Sequence, residues 1–506
     1  MKICLIRPGL VTTAGAIGIE IILPLGIAYL AAHLRQEGFE VSFVDAVGED
    51  IDAFSPLPDL PDGVQRGIPD EETVARIPAD VDVIGVSCMF SVGWVISRRL
   101  IQAVRRRFPD AVLIIGGEHA TAMPEYCLRD TPELDFVVLG EGEHTTAELL
   151  HTLERGGDPE TVTGVAFLRD GEYRVAPPRA RERELVSLPW PAWDMLPVEN
   201  YLNNVTAGLE YGRTMPIIAS RGCPYECTFC SNPVMWGKLW RARPAEDVVA
   251  EIEHNARTYN ITNVDFFDLT TIVKRSWIIE FCNMMIERRL GVTWQLITTR
   301  SEMIDEEVTR LMKQAGCTYV TYAAESGSTQ VLTDIKKKVD REAMLRSIGF
   351  SVDSGLGVKM NFVCGFPDDS LSDILASYKM AARAAWRGAH DVGFFPFTPY
   401  PGSALFQRLL DEGKITINDQ FFFGLASYNF SQIRSVARNF SDRQLQFLCL
   451  TGIALFYLVS FGRRPVRAWD LLLEILRSEG KTKLSAALVR MIKKRRGLKQ
   501  AATAGA

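Results

Sequence analysis

Short apolar runs alternate with amphipathic stretches through the first third of the chain. Residues 2–7, 41–45, 83–88, 112–116 and 136–139 are apolar without alternation, as expected of parallel strands buried on both faces. Between them, residues 25–36, opened by Pro24, and 95–108 carry apolar positions at helical spacing. The pattern predicts an α/β chain whose N-terminal domain, residues 1–160, is a doubly wound parallel sheet. Ligands of such sheets sit beyond the carboxyl ends of the strands. Here those ends run into small turns, Gly116-Gly117-Glu118-His119-Ala120-Thr121 and Gly140-Glu141-Gly142-Glu143.

A ribbon-like stretch, 164–175, leads into Leu188-Pro189-Trp190-Pro191-Ala192-Trp193, whose prolines prevent a helix and predict a connecting segment over 161–212. A second series then begins, with strands expected at 217–220, 263–267, 293–297, 319–323, 359–363 and 391–395. Helices fall between them, for example at 245–259 and 306–315. Six strand-helix units predict a partial (β/α)6 barrel of TIM type over 213–405, with its chemistry at the carboxyl rim. From 406 to 506 the pattern is helical.

Composition refines this picture only in places. The length of 506 residues suits two or three domains, and the net charge of -6 gives no reason to expect a nucleic-acid partner. Met1 to Pro8 reads as a strand rather than an export signal, which predicts a cytoplasmic protein whose ten cysteines are free for metal or core. The apolar run 445–461 barely reaches the shortest membrane-spanning length, so a buried or interfacial helix is expected. Arg463, Arg464 and Arg467 follow it, then a basic segment ending Lys493-Lys494-Arg495-Arg496. Such an end can attach to an anionic membrane and would suit a lipid-like substrate; a helix capping the barrel, with a solvated tail, is the alternative.

The decisive stretch is Arg221-Gly222-Cys223-Pro224-Tyr225-Glu226-Cys227-Thr228-Phe229-Cys230. Three thiolates from one loop favour an iron-sulfur cluster or zinc. Structural zinc wants four ligands, usually as two Cys/His pairs, and the next cysteine is the solitary Cys282. Three ligands for four irons leave one iron open to a cofactor with an amine and a carboxylate, such as S-adenosylmethionine (SAM).

Cys-x-x-x-Cys-x-aromatic-Cys after a first barrel strand resembles the radical SAM superfamily, and the resemblance runs from about Thr214 to Phe406. It implies that Cys223, Cys227 and Cys230 ligate a [4Fe-4S] cluster, that Phe229 lies near the adenine, and that Glu325, in Ala324-Glu325-Ser326-Gly327-Ser328, and Arg300, after Thr299, reach SAM. The chain departs from the family at Phe267-Asp268-Leu269-Thr270-Thr271 and at Gly365-Phe366-Pro367-Asp368-Asp369. The first domain, placed directly before such a barrel, resembles the cobalamin-binding subgroup that includes the anaerobic magnesium-protoporphyrin ester cyclases and carbon methyltransferases. That likeness implies a cobalamin tail passing Ser87, Gly116, Gly117, Gly140, Glu141 and Gly142, with His119 at a turn or tail contact rather than on cobalt. The Asp-x-His-x-x-Gly ligand motif is absent, since 7–20 contain no His.

The expected function is reductive cleavage of SAM to a 5'-deoxyadenosyl radical that takes hydrogen from an unactivated carbon, followed by cobalamin-dependent methylation. Oxidative cyclisation or dehydrogenation is the alternative, and a non-catalytic cobalamin or metal-binding protein is a third reading. A flavodoxin or ferredoxin would supply the electron.

Overall fold

A computed structural model describes residues 1–13, 21–60, 62–204, 212–426 and 433–477, with isolated positions between 484 and 492. The basic segment at 493–496 and the whole stretch 14–20 lie outside the described residues.

The first sheet runs Glu40–Asp45, Lys2–Arg7, Val83–Ser87, Val112–Gly116, Phe136–Val138, then Val165–Arg169 and Glu172–Val175. Its first five members are parallel. The chain steps from Lys2–Arg7 to one side and then to the other, so the carboxyl end of that strand is a topological switch point. The ribbon at 164–175 is a hairpin that pairs antiparallel with Phe136–Val138 and extends this sheet. The proline-rich segment after it is packed rather than loose. Trp193 is buried, and the Ala192 amide donates to the Ala28 carbonyl at 3.0 Å.

Six parallel strands in chain order build the barrel: Thr214–Ile217, Asn263–Phe266, Thr293–Thr299, Cys317–Glu325, Gly357–Cys364 and Asp391–Pro396. Side chains alternate across this wall. Trp294, Leu296, Val320, Tyr322, Met360, Phe362 and Phe394 point out into one apolar core shared with the surrounding helices. The opposite alternation turns Asp265, Gln295, Thr321 and Asn361 inward. The first strand ends three residues earlier than its apolar run suggests. There the chain leaves the sheet so that Ser220–Arg221 can pair antiparallel with Arg241–Ala242 and turn toward the cysteines.

Both open edges of the barrel are covered. Beyond the first strand, Ile22, Leu23 and Tyr201 close over Thr214, Pro216, Asp265 and Phe267, leaving a cavity of about 10 Å³, room for about one water. Beyond the last strand lies the helix Asp442–Arg463, which buries Leu445, Cys449, Gly452, Phe456 and Ser460. Tyr457 of that helix donates to Asp391 Oδ1 at 2.9 Å. Among the described residues it is the one helix long and apolar enough to cross a membrane, with a mean hydropathy of 1.8 and 28% of its apolar window buried. The preceding helix Asp419–Gly424 returns to the first domain, where Phe422 and Phe423 enter the core beside Trp94. Asp419 pairs there with Arg98 at 2.5 Å.

Candidate active site at the domain seam

The loop that carries the cysteines is held from three sides. Gly222 has φ +83°, and a Cβ there would lie 2.2 Å from the Leu239 carbonyl oxygen, so no other residue fits. Arg221 is buried and donates to Glu141 Oε1 at 3.1 Å and Glu143 Oε1 at 2.6 Å, across the seam in the first domain. Its guanidinium also lies over the rings of Tyr29 and Trp236. Beneath the loop, Asp268 accepts from the Ala219 amide at 3.2 Å and from the Ser220 hydroxyl. Burial pushes the Asp268 carboxyl up to about 6.

Further along, the Thr228 amide donates to the Ile335 carbonyl at 3.0 Å, and the Thr228 carbonyl accepts from the Leu405 amide at 2.9 Å. Cys223, Cys227 and Cys230 are half-buried free thiols, whereas the other cysteines are fully buried. Burial raises all three thiols, Cys230 to about 12. The Tyr225 amide opposes this at Cys223 and the Asn232 amide at Cys230, while the Arg300 and Lys337 cations oppose it at Cys223 and Cys227.

Among the described residues no three His, Cys, Asp or Glu side chains converge on one point where a single ion would sit. A cubane is gripped differently, by thiolates on separate irons around it. Three soft sulfur donors, half-buried and backed by amides and cations, fit a [4Fe-4S] cluster.

The rim around the loop brings several of the expected residues together. Arg300 follows the third barrel strand with its Cζ 3.5 Å from the centroid of the Tyr225 ring, and donates to Glu302 Oε1 at 2.6 Å. Glu325 ends the fourth strand at φ +60° and accepts from Lys337 Nζ at 3.0 Å. Both Lys337 and Glu325 act on the Cys227 thiol. Phe229 turns into a small apolar cluster with Phe366, their ring centroids 5.7 Å apart. Asp369 accepts from the Gly365 and Phe366 amides at 2.8 and 3.1 Å, so the divergent Gly-Phe-Pro-Asp-Asp turn closes on itself.

Two residues escaped sequence reasoning. Thr270 and Thr271, at the end of the second strand, have buried hydroxyls with no partner, and the Thr270 carbonyl accepts from Trp240 Nε1 at 3.0 Å. Adjacent hydroxyls just past a barrel strand were the available signal.

Across the seam the glycine turns hold their shape through backbone contact. Gly117 has φ +118°, and a Cβ there would lie 2.5 Å from the Cys88 carbonyl oxygen. Gly140 has φ +69°, and its amide donates to Thr121 Oγ1 at 3.0 Å. With Ser87, Gly116 and Gly142, these residues keep the carboxyl ends of three neighbouring strands clear of bulk, which fits a nucleotide tail laid along them.

The polar side chains there have other tasks. Glu141 takes Arg221, Arg181 at 3.3 Å and the Glu182 amide at 3.0 Å, so its carboxylate clamps the seam instead of facing a cofactor. Glu118 accepts from the Ser231 hydroxyl, directly after Cys230. His119 is buried between Trp94 and Phe422, with Nδ1 2.9 Å from Ser91 Oγ. Burial lowers it to about 3 and keeps it neutral, and Nε2 has no protein partner.

Comparison with known proteins matches residues 20–150 to the B12 binding domain and 217–381 to the radical SAM superfamily. The cytidylyl-2-hydroxyethylphosphonate methyltransferase of Streptomyces wedmorensis is 30% identical over 435 residues, covering 79% of this chain and 80% of the relative. The chain belongs to the radical SAM enzymes that carry a B12-binding domain. The anaerobic magnesium-protoporphyrin IX monomethyl ester cyclase of Rubrivivax gelatinosus is 28% identical over 412 residues, with 80% and 68% covered. The radical SAM methyltransferase TsrM of Kitasatospora setae, solved with cobalamin and a [4Fe-4S] cluster, shares the fold at a TM-score of 0.65 and 18% identity, with 81% and 78% covered. The cofactor set of this radical SAM architecture is a [4Fe-4S] cluster, SAM and cobalamin.

Proposed function

We propose that this radical SAM enzyme methylates an unactivated carbon, with Cys223, Cys227 and Cys230 holding the cluster at the barrel rim. The observation that carries the reading is the placement of three half-buried free thiols on one loop, joined to the glycine turns of the first domain through Arg221 on Glu141 and Ser231 on Glu118. The cluster and SAM supply one-electron cleavage chemistry, and cobalamin supplies a transferable methyl group.

The chain's own residues do the positioning. Glu325 is the acceptor for polar groups of SAM, and Lys337 holds it beside the loop. Thr270 and Thr271, in the loop after the second strand, offer two further hydroxyls. Arg300 acts through its stack on Tyr225, which fixes the loop between the first two cysteines. Phe229 backs the adenine side from its apolar cluster. Ser87, Gly116, Gly117, Gly140 and Gly142 form the floor for cobalamin, and His119 Nε2 is the polar atom beneath that floor. A flavodoxin or ferredoxin is the donor class assigned to the electron, in the reducing cytoplasm that ten free thiols suit.

Anaerobic reconstitution with iron, sulfide, cobalamin, SAM and dithionite tests the reading. Release of 5'-deoxyadenosine, together with the visible absorption of both cofactors, is expected. A colourless protein that binds zinc would overturn it. Cyclisation is the second reading, favoured by the likeness to the ester cyclase; a product lighter by hydrogen and lacking a new methyl would select it.

Contact with an anionic membrane is supported by the outer face of the C-terminal helices. Phe447, Leu450 and Leu458 of Asp442–Arg463 and Val466, Trp469, Leu472 and Leu476 of Pro465–Arg477 are exposed beside Arg463. That surface would suit a lipid-like, amphiphilic substrate. Flotation of the full chain with phosphatidylglycerol liposomes, lost on Trp469→Glu with Leu476→Glu, is expected; equal flotation of both proteins would remove the membrane.

A further inference from the structure

The inside of the barrel differs chemically from its outside. On the third, fourth and fifth strands the outward positions are Trp294, Leu296, Val320, Tyr322, Met360 and Phe362, all in the apolar core. The inward positions between them are Gln295, Thr321 and Asn361, each with a buried oxygen that has no partner in the protein. Thr321 is in register with Lys359 and Asn361 with Gly393, so the three line one stretch of wall below the rim.

The orientation of the Gln295 amide is fixed by its neighbour. Its Nε2 donates to Asp265 Oδ1 at 2.5 Å, and that carboxylate oxygen also accepts from Asn263 Nδ2 at 3.0 Å. A carboxylate only accepts, so the nitrogen must face Asp265 and Oε1 must face the interior as an acceptor. Asn361 Oδ1 lies opposite Gly393, where a Cβ would come within 2.7 Å of it. The oxygen is buried, and only glycine fits at that position between it and the Phe395 ring.

We infer that Gln295, Thr321 and Asn361 form an accepting surface that selects a substrate by hydrogen-bond donors, a hydroxyl- or amino-bearing portion entering the barrel. The inference rests on the radical SAM reading of the rim and adds the class of molecule that reading leaves open. An all-hydrocarbon portion would leave three buried acceptors unpaired, and such a site rejects analogues that lack the donor. An amphiphile satisfies the surface with its polar end.

The test uses the full-length reconstituted enzyme and an extract of cells that make it, divided into a hexane-soluble neutral-lipid fraction and a methanol-water fraction. The readout is 5'-deoxyadenosine release above the rate without extract. The methanol-water fraction is expected to stimulate release at least tenfold. Thr321→Val is expected to lose at least tenfold of that stimulation, while Thr321→Ser, which keeps the hydroxyl, retains it. Asn361→Leu and Asn361→Asp give the same contrast at a second position, with iron and cobalamin content reporting whether each variant is folded. Stimulation confined to the hexane fraction, stimulation by neither fraction, or an undiminished response in folded Thr321→Val and Asn361→Leu would overturn the inference. Absence of release in every sample, extract or none, would instead overturn the reading of the rim.

Discussion

The two sides of the seam are built on opposite rules. On the barrel side, side chains are left free: three thiols stay half-buried and unbridged, and two threonine hydroxyls after the second strand have no partner. On the first-domain side the acidic side chains of the turns are committed, Glu141 and Glu143 to Arg221 and Glu118 to Ser231. What remains there for a ligand is backbone shape set by glycine, with His119 Nε2 the one buried side-chain polar atom of the turns without a partner among the described residues. A cluster must be bonded by side chains, so its residues stay free; a large organic cofactor can be held by contour, which leaves nearby carboxylates available to fasten the domains together.

Breaking the barrel side should cost most. Cys227→Ala is expected to reduce 5'-deoxyadenosine release at least about 1000-fold, since electrostatic and redox roles of a ligand have no substitute. Iron analysis should show the cluster lost, and a variant that keeps full iron and full release would break the comparison. Next in size is the fastening itself. Arg221→Met leaves the buried Glu143 without its cation and Glu141 with Arg181 alone, which should destabilise the protein by about 3–5 kcal/mol. Thermal unfolding measures it, and a melting temperature equal to the parent's would mean that the clamp carries no stability.

Gly117→Ala probes contour alone. Its Cβ would collide with the Cys88 carbonyl at a backbone of φ +118°, so a loss of about 1–3 kcal/mol is expected. Cobalamin retained after gel filtration should fall more than the iron content does. Equal loss of both would merge the two sides of the comparison.

The smallest effect concerns Asp268, whose folded value of about 6 lies above its ordinary carboxyl value of 3.8 because of burial. The folded protein therefore holds this proton more tightly than the unfolded chain. The resulting stability is present below about pH 4 and is lost as pH rises toward 6, at up to about 1.4 kcal/mol per pH unit. Asp268→Asn should remove that slope while keeping the support under Ala219 and Ser220. Parallel stability curves for the two proteins between pH 4 and 6 would refute it.

Much of this architecture is legible in the residues. The helices Leu25–Gln36 and Ala245–Tyr259 fall where apolar periodicity puts them, because their buried stripes are determined locally. The cysteine spacing is equally local. The apolar run misplaces the first barrel strand, because Ile218 and Ala219 continue it while the chain has already turned away to pair with Arg241–Ala242. Glu141 reads as a cofactor residue by its place in a glycine turn, and only the approach of Arg221, eighty positions along the chain, commits it elsewhere. Thr270, Thr271 and the inward face of Gln295, Thr321 and Asn361 escape for a related reason. Periodicity shows that a strand has two faces, but not which of them a closed wall turns toward its ligand.

The helix that covers the last barrel strand also sets a timetable. Tyr457 and its neighbours are translated long after Cys230, so a chain still emerging from the ribosome has its cysteine loop complete while the far edge of the sheet is bare. Metallation can precede closure, and a chain truncated before Asp442 would keep every ligand yet present an unpaired strand to other chains.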